Sequence, residues 1–75
     1  MKATLARCPV GLFISDSGAL CLKTEYQTDG RIEAYIVRTG EFFWGLEPHT
    51  ITNQRQQIVT PVSAKHTRAI EALLK

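Results

Sequence analysis

The chain has 75 residues and a formal net charge of +2 at pH 7, and 44% of its residues are hydrophobic. A chain of this length buries only about 60–65% of its unfolded surface, so we expect one small domain over residues 1–75. The basic residues are scattered from Lys2 to Lys75, unlike the clustered basic face of a dedicated duplex-DNA binder. No apolar stretch approaches the ~20 residues of a membrane-spanning helix, so we expect no membrane association.

The two cysteines, Cys8 and Cys21, have no neighbouring Cys or His at metal-ligand spacing. The amino terminus lacks the apolar run of a signal peptide, so we expect reduced thiols in a cytoplasmic protein. The Cys8-Pro9 dipeptide occurs in some haem-responsive sites, but a small buried thiol beside a strand-starting proline is the favoured interpretation. We therefore expect no metal and no cofactor.

The first half of the chain predicts a hairpin. Residues 1–7 are a lead-in or a single helical turn, and Pro9 then favours an extended backbone at the residue before it. Strands are predicted over Val10–Ile14 and Ala19–Tyr26, because both segments are rich in β-forming residues. The turn between them is Asp16-Ser17-Gly18, in which the glycine accepts a positive φ.

Alternation divides the second predicted strand into two faces. One face carries Leu20, Leu22, Thr24 and Tyr26, and the other carries Cys21, Lys23 and Glu25. We expect one of these faces to be buried and the other to be half exposed.

Two more hairpins are predicted in the middle of the chain. Asp29-Gly30 suits a tight turn, and strand three, Arg31–Arg38, follows it. In that strand Ile32, Ala34 and Ile36 lie on one side, and Glu33, Tyr35 and Val37 lie on the other. Thr39-Gly40 turns the chain into a short fourth strand, Glu41–Trp44.

The last third of the chain predicts a loop, a strand and a helix. The pattern lapses through residues 46–53, and a fifth strand, Gln56–Val62, carries Pro61 at a sheet edge or at its own end. Ser63 is a suitable N-cap for a helix over Ala64–Leu74. Helical spacing is seen at Thr67, Ile70, Leu73 and Leu74.

These elements predict a mainly β fold, a five-stranded antiparallel meander with one short C-terminal helix. A strongly bent sheet that closes toward an SH3-like small barrel, capped by the helix, buries the most apolar surface for the least chain. The alternative is a flat meander with the helix across one face.

Catalytic motifs are missing from the sequence. His49 and His66 have no evident orienting partner, and Ser15-Asp16-Ser17-Gly18 lacks the spacing of a nucleophile elbow. We therefore expect a protein that is not an enzyme. An enzyme of unrecognised type is the third hypothesis, which a deep pocket lined by Glu33, Glu41 or His49 would favour.

The segment from Arg31 to Gly45 holds four of the six aromatic residues. Phe42 and Trp44 share a face, which we expect to be in the core, and Phe43 is then the ring outside. The candidate binding residues are Tyr35, Phe43, Arg31, Arg38 and Lys23.

An exposed aromatic patch of this kind suits a protein partner or a second copy of the chain, so our first hypothesis is a protein-binding module with a possible homodimer. The second hypothesis is weak binding of single-stranded nucleic acid, because aromatic rings stack on bases and basic side chains contact phosphates.

Two segments carry a family resemblance: Gly18-Ala19-Leu20-Cys21-Leu22-Lys23-Thr24-Glu25-Tyr26 and Thr39-Gly40-Glu41-Phe42-Phe43-Trp44-Gly45. With the surrounding residues 9–62, they resemble short uncharacterised proteins encoded by phages and prophages of enteric bacteria. The resemblance implies a small accessory protein in the cytoplasm of a bacterial host. Its partner would be a host or phage macromolecule that it modulates.

Overall fold

A computed structural model describes residues 2–62 of the chain. The elements are five strands and one helix, in the order β1 (Ala3–Thr4), β2 (Gly11–Ser15), β3 (Leu20–Thr28), β4 (Arg31–Ile36), α1 (Ile51–Arg55) and β5 (Ile58–Pro61). The prediction of a mainly β protein with antiparallel strands is confirmed. The predicted helix over Ala64–Leu74 lies outside the described residues.

The five strands form one sheet in the order β1-β5-β2-β3-β4, and every neighbouring pair is antiparallel. Strands β2, β3 and β4 form the predicted meander, whereas β5 returns across the sheet to lie between β1 and β2. The sheet is open, because β1 and β4 are its two edges and do not pair with each other.

The turns follow the chemistry of their residues. Asp29 and Gly30 have φ values of 53° and 84°, the left-handed conformations that an Asp-Gly hairpin turn requires. At the first turn the Ser15 Oγ accepts a hydrogen bond from the Ala19 amide at 3.0 Å. The β3–β4 pairing then shifts register between Lys23 and Gln27, and such a bulge bends a strand.

The two faces of the sheet differ in burial. The inner face packs into the core with residues that precede and follow it, and the cluster comprises Leu5, Cys8, Phe13, Cys21, Ile32, Ala34, Phe43 and Val59. The outer face carries the side chains that register places opposite to these, and they are Leu12, Ile14, Leu20, Leu22 and Tyr35. On the inner face Phe13 and Cys21 are fully buried.

The buried face of β3 is the one that carries Cys21, and Leu20 and Leu22 lie on the opposite face. Cys21 has no exposed surface, whereas Leu22 is 39% exposed and Tyr26 is 63% exposed. Cys21 is paired with Phe13 on one side and with Ile36 on the other, so the buried face of the strand is set by its neighbours.

Three element predictions are wrong. Of the predicted fourth strand, Glu41–Trp44, only Phe42 pairs, in a single bridge with Tyr35. The lead-in contains β1, which pairs with β5. β1 therefore takes the place of the predicted fourth strand in the five-stranded sheet, whereas the predicted fifth strand, Gln56–Val62, is confirmed as β5 (Ile58–Pro61).

The third error is α1 (Ile51–Arg55), which begins inside the predicted loop over residues 46–53 and ends before the predicted fifth strand. Its N-cap is Thr50, whose Oγ1 accepts a hydrogen bond from the Asn53 amide at 3.1 Å. A helix of five residues is too short to show an apolar period, so the polar sequence from Thr52 to Arg55 resembles a loop.

Gln54 joins α1 to the edge of the sheet. Its side chain is fully buried, and the amide both accepts from the Ile32 N–H at 2.9 Å and donates to the Ile32 carbonyl at 2.8 Å. The same Nε2 donates to the Phe43 carbonyl at 2.9 Å. One side-chain amide thus replaces a neighbouring strand at this point of β4.

Candidate functional site

Four aromatic side chains lie in contact along the β4 edge of the sheet, and we call Tyr35, Phe42, Trp44 and His49 the aromatic row. Tyr35 and Phe42 pack edge to face with their centroids 5.8 Å apart, and Phe42 and Trp44 are tilted at 5.2 Å. The His49 ring stacks on Trp44 at 5.7 Å with an interplanar angle of 11°. Tyr35, Phe42 and Trp44 are half-buried, and His49 is exposed.

The backbone beneath the row is tied to β4. The Ile36 amide donates to the Glu41 carbonyl and the Phe43 amide donates to the Ala34 carbonyl, both at 2.8 Å. Because side chains alternate in an extended segment, Phe43 points inward while Phe42 and Trp44 on either side of it point outward.

Phe43 is therefore a core residue, and its predicted exposure is wrong. Its ring is 5% exposed and packs edge to face on Phe13 with a centroid distance of 5.3 Å. The companion prediction that Phe42 and Trp44 fill the core is also wrong, since neither belongs to the buried cluster. The sequence correctly predicts that Phe43 points to the opposite side from Phe42 and Trp44. It reverses which of the two sides is buried.

The loop that carries His49 is held by polar contacts. Asn53 Nδ2 donates to the Leu46 carbonyl at 2.7 Å and to the Pro48 carbonyl at 2.8 Å. Gly45 has a φ of 82°, and the Gln57 side chain occupies the space that a Cβ would need. Only glycine meets both conditions without strain.

Arg31 and Tyr35, both predicted site residues, lie at the row. The Arg31 guanidinium is 5.8 Å from the centroid of the Trp44 ring and 3.8 Å from the Asp29 carboxylate. The Tyr35 hydroxyl donates to the Glu33 carboxylate at 2.8 Å. This bond lowers the pKa of Glu33, with Thr28 adding a second hydrogen bond, and it raises the pKa of Tyr35.

The other two predicted cations lie away from the row. Lys23 has a structural position, because its ammonium donates to the carbonyls of Leu5 at 2.8 Å and Ala6 at 3.2 Å and also to that of Cys8. Burial lowers the pKa of Lys23. Arg38 is exposed and lines a separate groove beside Val37 and Thr39.

A pocket of about 320 Å³ adjoins the row and has Phe42, Trp44 and His49 in its wall. Among residues 2–62, the charged side chains that line it are Asp16 and Glu41, and no Lys or Arg of that range is in its wall. The described wall therefore combines aromatic and other apolar side chains with two carboxylates, a combination that favours an apolar group next to a cation.

The pocket contains Glu41 and His49 but not Glu33. Within residues 2–62, no hydrogen bond links His49 to Ser15, Ser17 or either pocket carboxylate, and the two serine hydroxyls bond to each other at 2.9 Å. Nucleophilic catalysis requires a nucleophile within hydrogen-bond reach of a base, and that contact is missing from the described part of the pocket.

The two cysteine thiols are not part of this site. Cys8 and Cys21 are both buried and free, and burial raises the pKa of Cys8 and raises that of Cys21 to about 11. Across residues 2–62, no group of three or more His, Cys, Asp or Glu side chains is placed to hold a metal ion. In the same range no helix has the length and apolar character needed to cross a membrane.

Sequence reasoning missed three of the four rings in the row, because it assigned Phe42 and Trp44 to the core and treated His49 as a surface residue without a role. The available signal was the run Phe42-Phe43-Trp44, which requires two rings on one side of an extended segment. Nothing in the sequence indicated that the loop after Gly45 folds back onto Trp44.

Comparisons of the chain with protein-family models, with curated proteins and with solved structures give no match. The function is therefore argued from the chemistry of the site.

Proposed function

We propose that this chain is a non-enzymatic binding module that takes an exposed segment of a partner protein at the aromatic row and the adjoining pocket. The observation that carries the proposal is the row itself, in which each of the four rings contacts the next. Gln54 holds the backbone beneath the row through its hydrogen bond to the Phe43 carbonyl. Rigid aromatic side chains in a small apolar patch supply most of the energy of protein interfaces.

The charge at the site specifies the partner further. Asp16 and Glu41 line the pocket, so the segment that fits best carries a Lys or Arg beside an apolar side chain. A proline-rich segment in an extended conformation meets this requirement at low entropic cost. This specificity supports a protein partner over nucleic acid, since phosphates are repelled by the same carboxylates.

Binding of single-stranded nucleic acid is the second candidate. The observation that favours it is Arg31 above the Trp44 ring, which offers a cation beside a stacking surface. The charge balance weakens it, because residues 2–62 contain six basic and six acidic side chains. The predicted contributions of Phe43 and Lys23 to such a site are absent, since one fills the core and the other binds backbone carbonyls.

The context that we propose is a small accessory protein in the cytoplasm of a bacterial host, binding a host or phage protein. Its support is the resemblance of residues 18–26 and 39–45 to phage and prophage proteins. We further propose that the open sheet curls toward an SH3-like small barrel, which the bulge in β3 and the pairing of β5 with β2 support. A homodimer through the same row would be an alternative use of the surface.

Selection from a random peptide library tests the function. The wild type is expected to enrich peptides that combine a basic residue with apolar ones. Trp44→Ala is expected to weaken their binding by about 2 kcal/mol, roughly thirtyfold, because the central ring of the row is lost.

Tyr26→Ala is the matched control, since Tyr26 is 63% exposed and is outside the aromatic row. An oligonucleotide at about 50 mM salt, where counterion release favours its binding most, forms the second arm. Equal loss in both variants, or binding of the oligonucleotide alone, would reject the proposed function. Sedimentation of the free protein separates a homodimer from a monomer.

A further inference from the structure

A second groove, with a volume of about 360 Å³, lies next to the pocket that adjoins the aromatic row, and we call it the basic groove. Ala19 and Ile36 line both the pocket and the basic groove. Both side chains are partly buried and pack against the core cluster, so the wall that the two cavities share is supported from inside. A segment bound in the pocket therefore has a continuation into the basic groove.

The two cavities carry opposite charges. Among residues 2–62, the charged side chain that lines the basic groove is Arg38, whereas Asp16 and Glu41 line the pocket. Arg38 and Glu41 are both exposed and close in sequence, yet neither forms an ion pair with another residue of that range. Both charges are therefore open to complementary groups on a partner.

The turn after β4 fixes where these two charges lie. The Gly40 amide donates to the Ile36 carbonyl at 2.7 Å, and the Ile36 amide donates to the Glu41 carbonyl at 2.8 Å. The Thr39 Oγ1 accepts a hydrogen bond from the Glu41 amide at 3.2 Å. Because these bonds close the turn on itself, its backbone holds Arg38 at the basic groove and Glu41 at the pocket.

The basic groove offers hydrogen-bond donors beside an apolar wall. Leu20, Ile36 and Val37 are among its lining residues, and Val37 is 40% exposed. Within residues 2–62, the amides of Arg38 and Thr39 donate to no backbone carbonyl. A carboxylate accepts strong hydrogen bonds from a guanidinium and from backbone amides, so this groove suits an acidic side chain next to apolar ones.

We propose that the partner segment continues from the pocket into the basic groove and presents an Asp or Glu to Arg38. This inference rests on the proposed function and narrows the partner to an extended peptide with a basic, an apolar and an acidic side chain in a fixed order. A segment bound in the reverse direction would bring like charges together, which disfavours it. Arg38 and Glu41 therefore set the direction in which the peptide binds.

Binding of an array of synthetic peptides by the full chain tests this inference. The peptides have acetylated amino termini and amidated carboxyl termini, so the only carboxylates that they carry are those of Asp and Glu. The wild type is compared with Arg38→Glu and with Trp44→Ala. Arg7→Glu is the matched control, since Arg7 is exposed and lines neither cavity.

The wild type is expected to prefer an acidic residue at one fixed distance along the peptide from the basic residue. Arg38→Glu should weaken binding of those peptides about fivefold, and it should favour a basic residue at the same position because the charge is reversed. Arg7→Glu should bind as the wild type does. A preference for the acidic residue that survives in Arg38→Glu would overturn the inference.

Trp44→Ala separates this inference from the proposed function. If Trp44→Ala weakens peptide binding while Arg38→Glu leaves it unchanged, the proposed function stands and the acidic contact is rejected. If the wild type binds no peptide of the array, both are rejected.

The alternative occupants of the basic groove are a second copy of the chain and a segment of the same chain. Sedimentation and the melting temperature of Arg38→Glu are both expected to match those of the wild type. A dimer that Arg38→Glu dissociates would assign the groove to a second copy. A melting temperature lowered by Arg38→Glu but not by Arg7→Glu would assign it to a contact within the chain, and either result would overturn the proposal.

Discussion

Both faces of the sheet carry large apolar side chains, but the two faces differ in how much of that surface stays exposed. On the inner face, Phe13 and Cys21 pack with Phe43 in a cluster of side chains that have almost no exposed surface. On the outer face, Leu22 and Tyr35 keep part of their surface accessible. Composition does not distinguish the faces, so the difference comes from what the rest of the chain places against each.

Polar side chains also have different roles on the two faces. Inside, Gln54 satisfies three backbone groups with one amide, and Lys23 caps the turn that covers the core. Outside, Tyr35 donates to the half-buried carboxylate of Glu33, and Arg31 pairs with the exposed carboxylate of Asp29. Inner polar side chains therefore stabilise the fold, and outer ones remain available for recognition.

Two adjacent rings give the largest expected difference between the faces. Phe43→Ala should lower the free energy of unfolding by about 3–5 kcal/mol, because it empties the space against Phe13. For a domain of this size that is a fall of roughly 12 °C or more in melting temperature. Thermal unfolding of Phe42→Ala provides the comparison, and a cost as large as that of Phe43→Ala would show that the two rings are equally buried.

The next effect is expected at Gln54. Gln54→Leu leaves the Ile32 N–H and carbonyl and the Phe43 carbonyl without their partner, at about 1–3 kcal/mol for each buried group left unpaired. Urea denaturation should show a loss of at least about 2 kcal/mol. Gln56→Leu is the matched control, since Gln56 is exposed; if the two variants were equally stable, the amide would not be bracing the row.

Lys23 tests whether an inner cation has any role in binding. Lys23→Met keeps the aliphatic length but removes the ammonium from the carbonyls of Leu5, Ala6 and Cys8, so we expect a loss of about 1–3 kcal/mol in unfolding experiments. Peptide binding should be unchanged at a temperature where the variant is folded. Lys2→Met, at an exposed position, is the control. Weaker peptide binding by Lys23→Met alone would show that Lys23 contributes to the binding site.

The sequence was sufficient for the strands β2, β3, β4 and β5, for the Asp29-Gly30 turn and for the presence of an aromatic residue, Tyr35, at a surface. It was insufficient to tell which face of a strand is buried. Alternation divides a strand such as β3 into two faces, but only the strands and side chains that pack on it decide which face points inward. The short helix α1 depends on Thr50 and on Gln54, whose role is tertiary. A loop that places His49 on Trp44 leaves no local pattern.

The smallest expected effect compares two neighbouring thiols on opposite faces. Burial raises the pKa of Cys21 from its ordinary value of 9.0 to about 11, so the unfolded chain loses this proton first. The contribution of Cys21 to stability is complete below pH 9 and is lost as the pH rises toward 11. The loss is on the order of 1 kcal/mol for each pH unit.

Urea denaturation across this range should therefore show a steeper alkaline loss for the wild type than for Cys21→Ala. Leu22→Cys adds an outer thiol one residue away, which should react with a thiol reagent at about pH 8, while Cys21 in the same folded chain stays protected. Because the two sulfurs differ only in the face they occupy, equal reactivity would mean that the inner face opens as readily as the outer one.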